Sequence, residues 1–175
     1  MSPSFQGLFH EIELQRKHVL DSISQLTETQ LNKAPQPGKW SIAEILSHVI
    51  SAERLSVLYI QKKIQGVAEA ADSGMWEEVK MGLLKISQRV PGIKFKAPQR
   101  LVESTMVYKN LSDIRLEWDR VRSDFKLLLE KIPEQYVSRK IYRHVRAGYL
   151  NPKHAILFFR EHLIHHQPQI RRLLK

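Results

Sequence analysis

The chain has 175 residues, 42% of them hydrophobic, and carries 28 Lys plus Arg against 18 Asp plus Glu for a net charge of +10, with no cysteine. That length and apolar content suit a single domain spanning residues 1–175 with one continuous core, and the missing cysteines exclude thiolate metal ligands and a cysteine nucleophile. No run reaches the roughly 18 to 20 apolar residues of a membrane span, and the start MSPSFQGLFHEIELQRK has no apolar signal core, so a cytoplasmic protein without a membrane partner is expected.

The first predicted helix runs from about Ser4 to Leu26, where Phe5, Leu8, Phe9, Ile12, Val19, Leu20 and Ile23 give a broad apolar side. A polar connection with Pro35, Pro37 and Gly38 follows. Ser41 and Glu44 then form a capping box, each side chain able to satisfy a backbone N–H at the other's position, and open a second helix that continues through Ile64 to Gly66. Residues 67–110 are the least regular part: a short helix fits Trp76 to Ile86, and Val90-Pro91-Gly92 and Ala97-Pro98 break any continuation, as in an insertion or long crossover. Helical periodicity returns from Leu111 to Ile132, with Ser112 as the N-cap candidate and Pro133 as the stop. Val107 and Tyr108, or Ile141 to Val145, are the only candidate extended pieces, and neither shows useful strand alternation. The last helix starts at Asn151-Pro152, a capping residue followed by proline at the first helical position, and runs nearly to the terminus.

Four long amphipathic helices with one long connection between the second and third predict an all-α bundle, an architecture that builds metal sites from facing side chains. His162 and His166 stand four residues apart on the apolar stripe of Ala155, Phe159, Leu163 and Ile170, so both imidazoles point inward. Buried imidazoles need hydrogen-bond partners or a metal, and an H-x3-H pair brings two nitrogens to one ion. His162 with His165 is an alternative pair at workable spacing. A third ligand from another helix would complete a site with open positions, and the second helix offers His48 on the flank of its apolar side. Glu53 falls near the inward line of Ile42, Val49 and Ile60, where a carboxylate requires an arginine, a histidine N–H or a metal. An ion pair at the bundle's end is the plainer reading of Glu53; a general base is the sharper one, with His165 as the other candidate. Gln169 returns to the inner side three residues after His166, and Pro168, lacking an N–H for the carbonyl of Ile164, is expected to kink the helix there.

The run Pro37-Gly38-Lys39-Trp40-Ser41-Ile42-Ala43-Glu44-Ile45-Leu46-Ser47-His48 and the tail Phe159-Arg160-Glu161-His162-Leu163-Ile164-His165-His166-Gln167-Pro168-Gln169-Ile170 together resemble the two end motifs of the DinB-like superfamily, and His144 to Asn151 is similar to the loop before that family's closing helix. The resemblance implies an up-up-down-down four-helix bundle holding one divalent metal ion, Ni or Zn, on three histidines that map to His48, His162 and His166. It also implies a homodimer, and a metal-dependent hydrolase or low-molecular-weight thiol transferase acting on a small-molecule substrate such as a thiol. The alternative is a non-catalytic metal-binding or interaction protein, in which the ion merely ties the second helix to the fourth. No specific nucleic-acid partner is expected, because the basic residues are scattered, with concentrations at Lys85 to Arg100, Arg139 to Arg146 and the tail, and without interleaved aromatics.

Overall fold

A computed structural model describes residues 1–89 and 105–175, so the predicted breaks at Val90-Pro91-Gly92 and Ala97-Pro98 lie outside the described residues. Four long helices form the frame: α1 (Pro3–Ser22), α3 (Ile42–Lys63), α5 (Leu111–Glu130) and α6 (Pro152–Leu173). Two shorter helices, α2 (Glu28–Asn32) and α4 (Met75–Arg89), lie in the connections, and a small antiparallel hairpin of β1 (Tyr142–His144) and β2 (Gly148–Leu150) precedes α6. Their buried apolar side chains join in one core, with Trp118, Tyr142, Phe5, Phe125 and Phe159 as its largest fully buried members.

Local chemistry fixes most starts. Ser41 and Glu44 make the reciprocal capping box at α3, and Asn151 caps α6 by accepting from the His154 N–H at 3.0 Å, with Pro152 at the first helical position. At α5 the cap is Asn110 rather than Ser112: its Oδ1 accepts the Asp113 N–H at 2.8 Å. The first helix ends at Ser22 rather than near Leu26, and the chain restarts at a Thr27–Gln30 capping box to form α2. Val107 and Tyr108 form no strand, whereas β1 falls within the Ile141 to Val145 segment. Its turn is built on His144, whose Nδ1 accepts the N–H groups of Arg146 and Ala147, and on Gly148, whose φ of 74° lies in the left-handed region that glycine tolerates.

The all-α bundle is as expected, but the helix directions are not up-up-down-down. Ser4 donates to Glu134, just past the end of α5, and Arg16, further along α1, pairs with Asp119 near the middle of α5, so α1 and α5 are antiparallel. Arg160 on α6 reaches Glu11 on α1 at 2.8 Å, and Ser4 and Phe5 line one cavity with Asn151 and Lys153, so α1 and α6 run together. Ser47 accepts from the Tyr108 N–H, and Glu53 meets Trp118 and Arg122, which makes α3 and α5 parallel. The order is up-down-down-up, with α1 and α3 each flanked by α5 and α6. Connection length explains it: the short span between α1 and α3 reverses the chain, whereas the long one between α3 and α5 carries it back to the end where α3 began. Within that return, Ser73 donates to the Ser138 carbonyl and the Lys140 N–H to that of Ala71, after which α4 rises along the outside of α6.

Candidate metal centre

The downward course of α3 and the upward course of α6 bring His48 level with His162 and His166. The three side chains are buried, and one ring nitrogen from each lies within 4.8 Å of the others. His162 Nε2 is 3.1 Å from His48 Nε2 and 3.2 Å from His166 Nε2, and the rings stand at 73° to 75° to one another in T-shaped pairs. Two imidazole nitrogens on a common Zn²⁺, each at about 2.0–2.1 Å with a tetrahedral angle, would be about 3.4 Å apart, so the spacing suits a shared ion after small adjustment.

Protonation supports the same fit. Burial pushes His48 down to about 4, with nearby His165 adding to the effect, and burial together with His48 pushes His166 to about 3. His162 is lowered well below the ordinary histidine value by burial and then by His166 and His48. At neutral pH all three are therefore uncharged, the form that ligates a metal. Gln169 adds orientation: its Oε1 lies 3.1 Å from His166 Nδ1, which must donate to it, leaving the Nε2 lone pair aimed at the cluster. His162 Nδ1 is buried with no hydrogen-bond partner. The walls are aromatic: Trp40 lies 5.0 Å from the His48 ring, and Phe158 stacks on His162 at 5.0 Å and 15°. Trp40 is 40% exposed, so the site sits beneath the surface where α3 begins.

The remaining candidates occupy other places. His165 Nδ1 donates to the Gln88 carbonyl at 2.8 Å, tying α6 to the end of α4. The structure therefore joins His162 to His166 and His48 rather than to His165. Glu53 is fully buried, and both its oxygens are engaged: Arg122 Nε at 2.7 Å and Trp118 Nε1 at 2.9 Å on one, Arg122 Nη2 at 2.8 Å on the other. Sequence reasoning missed a second buried carboxylate, Glu161, beside His162. It accepts from Arg89 at 2.6 and 2.9 Å and from Arg160, so it clamps α4 onto α6 next to the site. A signal existed in its place on the helix beside the histidines, but its partner lies 72 positions away in sequence. The helix continues through Pro168 to Leu173.

No helix among the described residues is long and apolar enough to cross a membrane. The sequence profile of the DinB superfamily matches residues 11–170, which takes in both end motifs. No curated protein and no solved structure matches the chain.

Proposed function

The chain belongs to the DinB superfamily, and from that membership and its three convergent imidazoles we propose a protein that binds one divalent metal ion, nickel or zinc, on His48, His162 and His166. In this reading it uses the ion in the cytoplasm as a hydrolase or as a transferase of low-molecular-weight thiols. The observation that carries the reading is the meeting of three Nε2 atoms on a buried, neutral donor set. Such a set leaves the lone pairs unsatisfied among themselves and matches the borderline nitrogen-liganded ions.

When bound, the ion supplies Lewis acidity, polarising a substrate atom or making a coordinated thiol or water more acidic. The chain's own residues supply orientation and shelter. Gln169 holds the proton on His166 Nδ1, and Trp40 and Phe158 cover ring faces and limit water. Glu53, saturated by Arg122 and Trp118, serves in this account as a buried tie between α3 and α5 rather than as a base.

Elemental analysis of the purified chain tests the binding step: about one divalent ion per chain is expected, and none in the His162→Ala/His166→Ala variant. Stoichiometric metal retained by that variant would remove the reading. A turnover screen of the nickel- and zinc-loaded protein with thiols and electrophiles then tests the catalytic step. Turnover that disappears in the double variant supports it, and none with either ion favours the non-catalytic alternative.

A further inference from the structure

A fourth imidazole, His144, is buried close to the three ligands, and its proton meets no acceptor. It ends β1, a strand that packs on both α3 and α6, the helices that carry the cluster. The side chain is 7% exposed. Its ring centroid lies 4.7 Å from that of Phe158, the ring that also stacks on His162 at 5.0 Å, so His144 and His162 share one aromatic wall.

The hairpin turn decides which nitrogen carries the proton. His144 Nδ1 accepts the N–H of Arg146 at 3.3 Å and that of Ala147 at 3.2 Å, so it is the bare nitrogen and the hydrogen sits on Nε2. Burial, with Arg146 adding to it, pushes His144 down to about 4, and the ring is therefore neutral at physiological pH. Among the described residues no acceptor meets the Nε2–H. Closing the turn does not call for that donor: an Asp would accept the same backbone N–H groups and leave no second N–H to bury.

The charge around the cluster supplies a use for it. The titratable groups that bear on the three ligands are one another, His165 and His144. The buried carboxylates of the same two helices are already balanced, Glu53 by Arg122 and Glu161 by Arg89 and Arg160. Three neutral imidazoles thus leave the charge of a divalent ion uncompensated in a buried site, and the position they leave open favours an anion over a neutral molecule. A buried anion in turn needs N–H donors.

Resting on the metal centre proposed above, we propose that His144 is a ligand-binding residue of that centre, its Nε2–H donating to the anionic atom of a small organic anion at the open coordination position. The two turn N–H groups hold the ring in the tautomer that donates. The residue thereby selects anionic over neutral ligands.

The test uses the full chain loaded with Ni²⁺ and follows the metal's absorption bands as azide, an anion, or imidazole, a neutral ligand, is added. His144→Leu should weaken azide binding by about 10- to 100-fold, the range for one hydrogen bond to a charged group, with imidazole binding and metal stoichiometry unchanged. His144→Gln, whose amide oxygen accepts the turn N–H groups while its nitrogen donates, should restore most of the azide affinity. A second measurement does without the leucine variant: in the Zn²⁺-loaded parent the His144 Nε2–H resonance, the one missing from His144→Gln, should move downfield with azide and not with imidazole. Equal weakening of azide and imidazole in His144→Leu assigns the residue to the turn alone and overturns the proposal. Unchanged azide affinity, or a resonance that azide does not move, overturns it as well while the three-histidine centre stands. A parent that takes up no metal overturns both, and the stoichiometry rather than the azide titration shows it.

Discussion

Gln169 and Glu53 illustrate how one inward polar residue serves orientation and another serves stability. By accepting the proton on His166 Nδ1, Gln169 fixes which nitrogen of that ring faces the cluster. Gln169→Ala should lower Zn²⁺ or Ni²⁺ affinity by about 10- to 100-fold, read by calorimetric titration, with little change in the unfolding of the metal-free protein. Glu53→Gln should do the reverse. It leaves the Arg122 guanidinium, 2% exposed, with only the more exposed Glu13 at 3.2 Å as counter-charge, and should cost about 3 kcal/mol in urea denaturation while metal stoichiometry holds. The sequence showed that Glu53 needed a partner, because a carboxylate on an apolar line is a local contradiction. It did not name Arg122, which stands 69 positions away and is brought close by the parallel course of α3 and α5.

At the scale of elements, what was legible is what neighbours along the chain decide. Ser41 with Glu44 and Asn151 with Pro152 announced α3 and α6 because caps act within one turn. Thr27 and Gln30 carried the same signal for α2, hidden inside a connection read as merely polar. Helix direction was not legible in the same way: it depends on how the long connection returns, and α4 takes up much of that return. The start of α4 is itself held by charge. Glu77 accepts the Gly74 N–H at 2.8 Å and meets Lys140 at 3.2 Å and Lys80 at 3.4 Å, and the backbone hydrogen bond first, then the two lysines, hold its carboxyl down at about 2, below its ordinary 4.5. A carboxyl whose pKa is lower in the folded state stabilises above the unfolded value and loses that contribution as pH falls through the folded one. Glu77→Gln should therefore be less stable than the parent at pH 7, and the gap in urea midpoints should close between about pH 4.5 and pH 2. A gap independent of pH would contradict the charge-based account.

Taken whole, the molecule is a basic bundle with a neutral, buried nitrogen cluster beneath one end. The charge of +10 is spread over the surface, so retention on nucleic acid should be weak and should collapse between roughly 50 and 200 mM salt, as counterion release requires; nanomolar, sequence-dependent binding at physiological salt would contradict this. The cluster depends on the full topology. His48 and His162 are 114 positions apart, and only the antiparallel meeting of α3 and α6 makes their nitrogens neighbours. The H-x3-H spacing marked His162 and His166 while leaving His162 with His165 open, and His48, offered by the flank of its helix, was joined to that pair by the family resemblance of the run it ends. The most direct test is thermal unfolding of the parent and His48→Ala, each with and without Zn²⁺ or Ni²⁺. A ligand that binds only the folded state raises the midpoint by mass action, about 2.7 kcal/mol of stabilisation at a hundred times its dissociation constant. The account predicts a clear metal-induced rise in the parent and a much smaller one in His48→Ala, with the same helical content in both proteins at room temperature. An equal rise in both would show that His48 is not a ligand and would contradict the three-histidine centre.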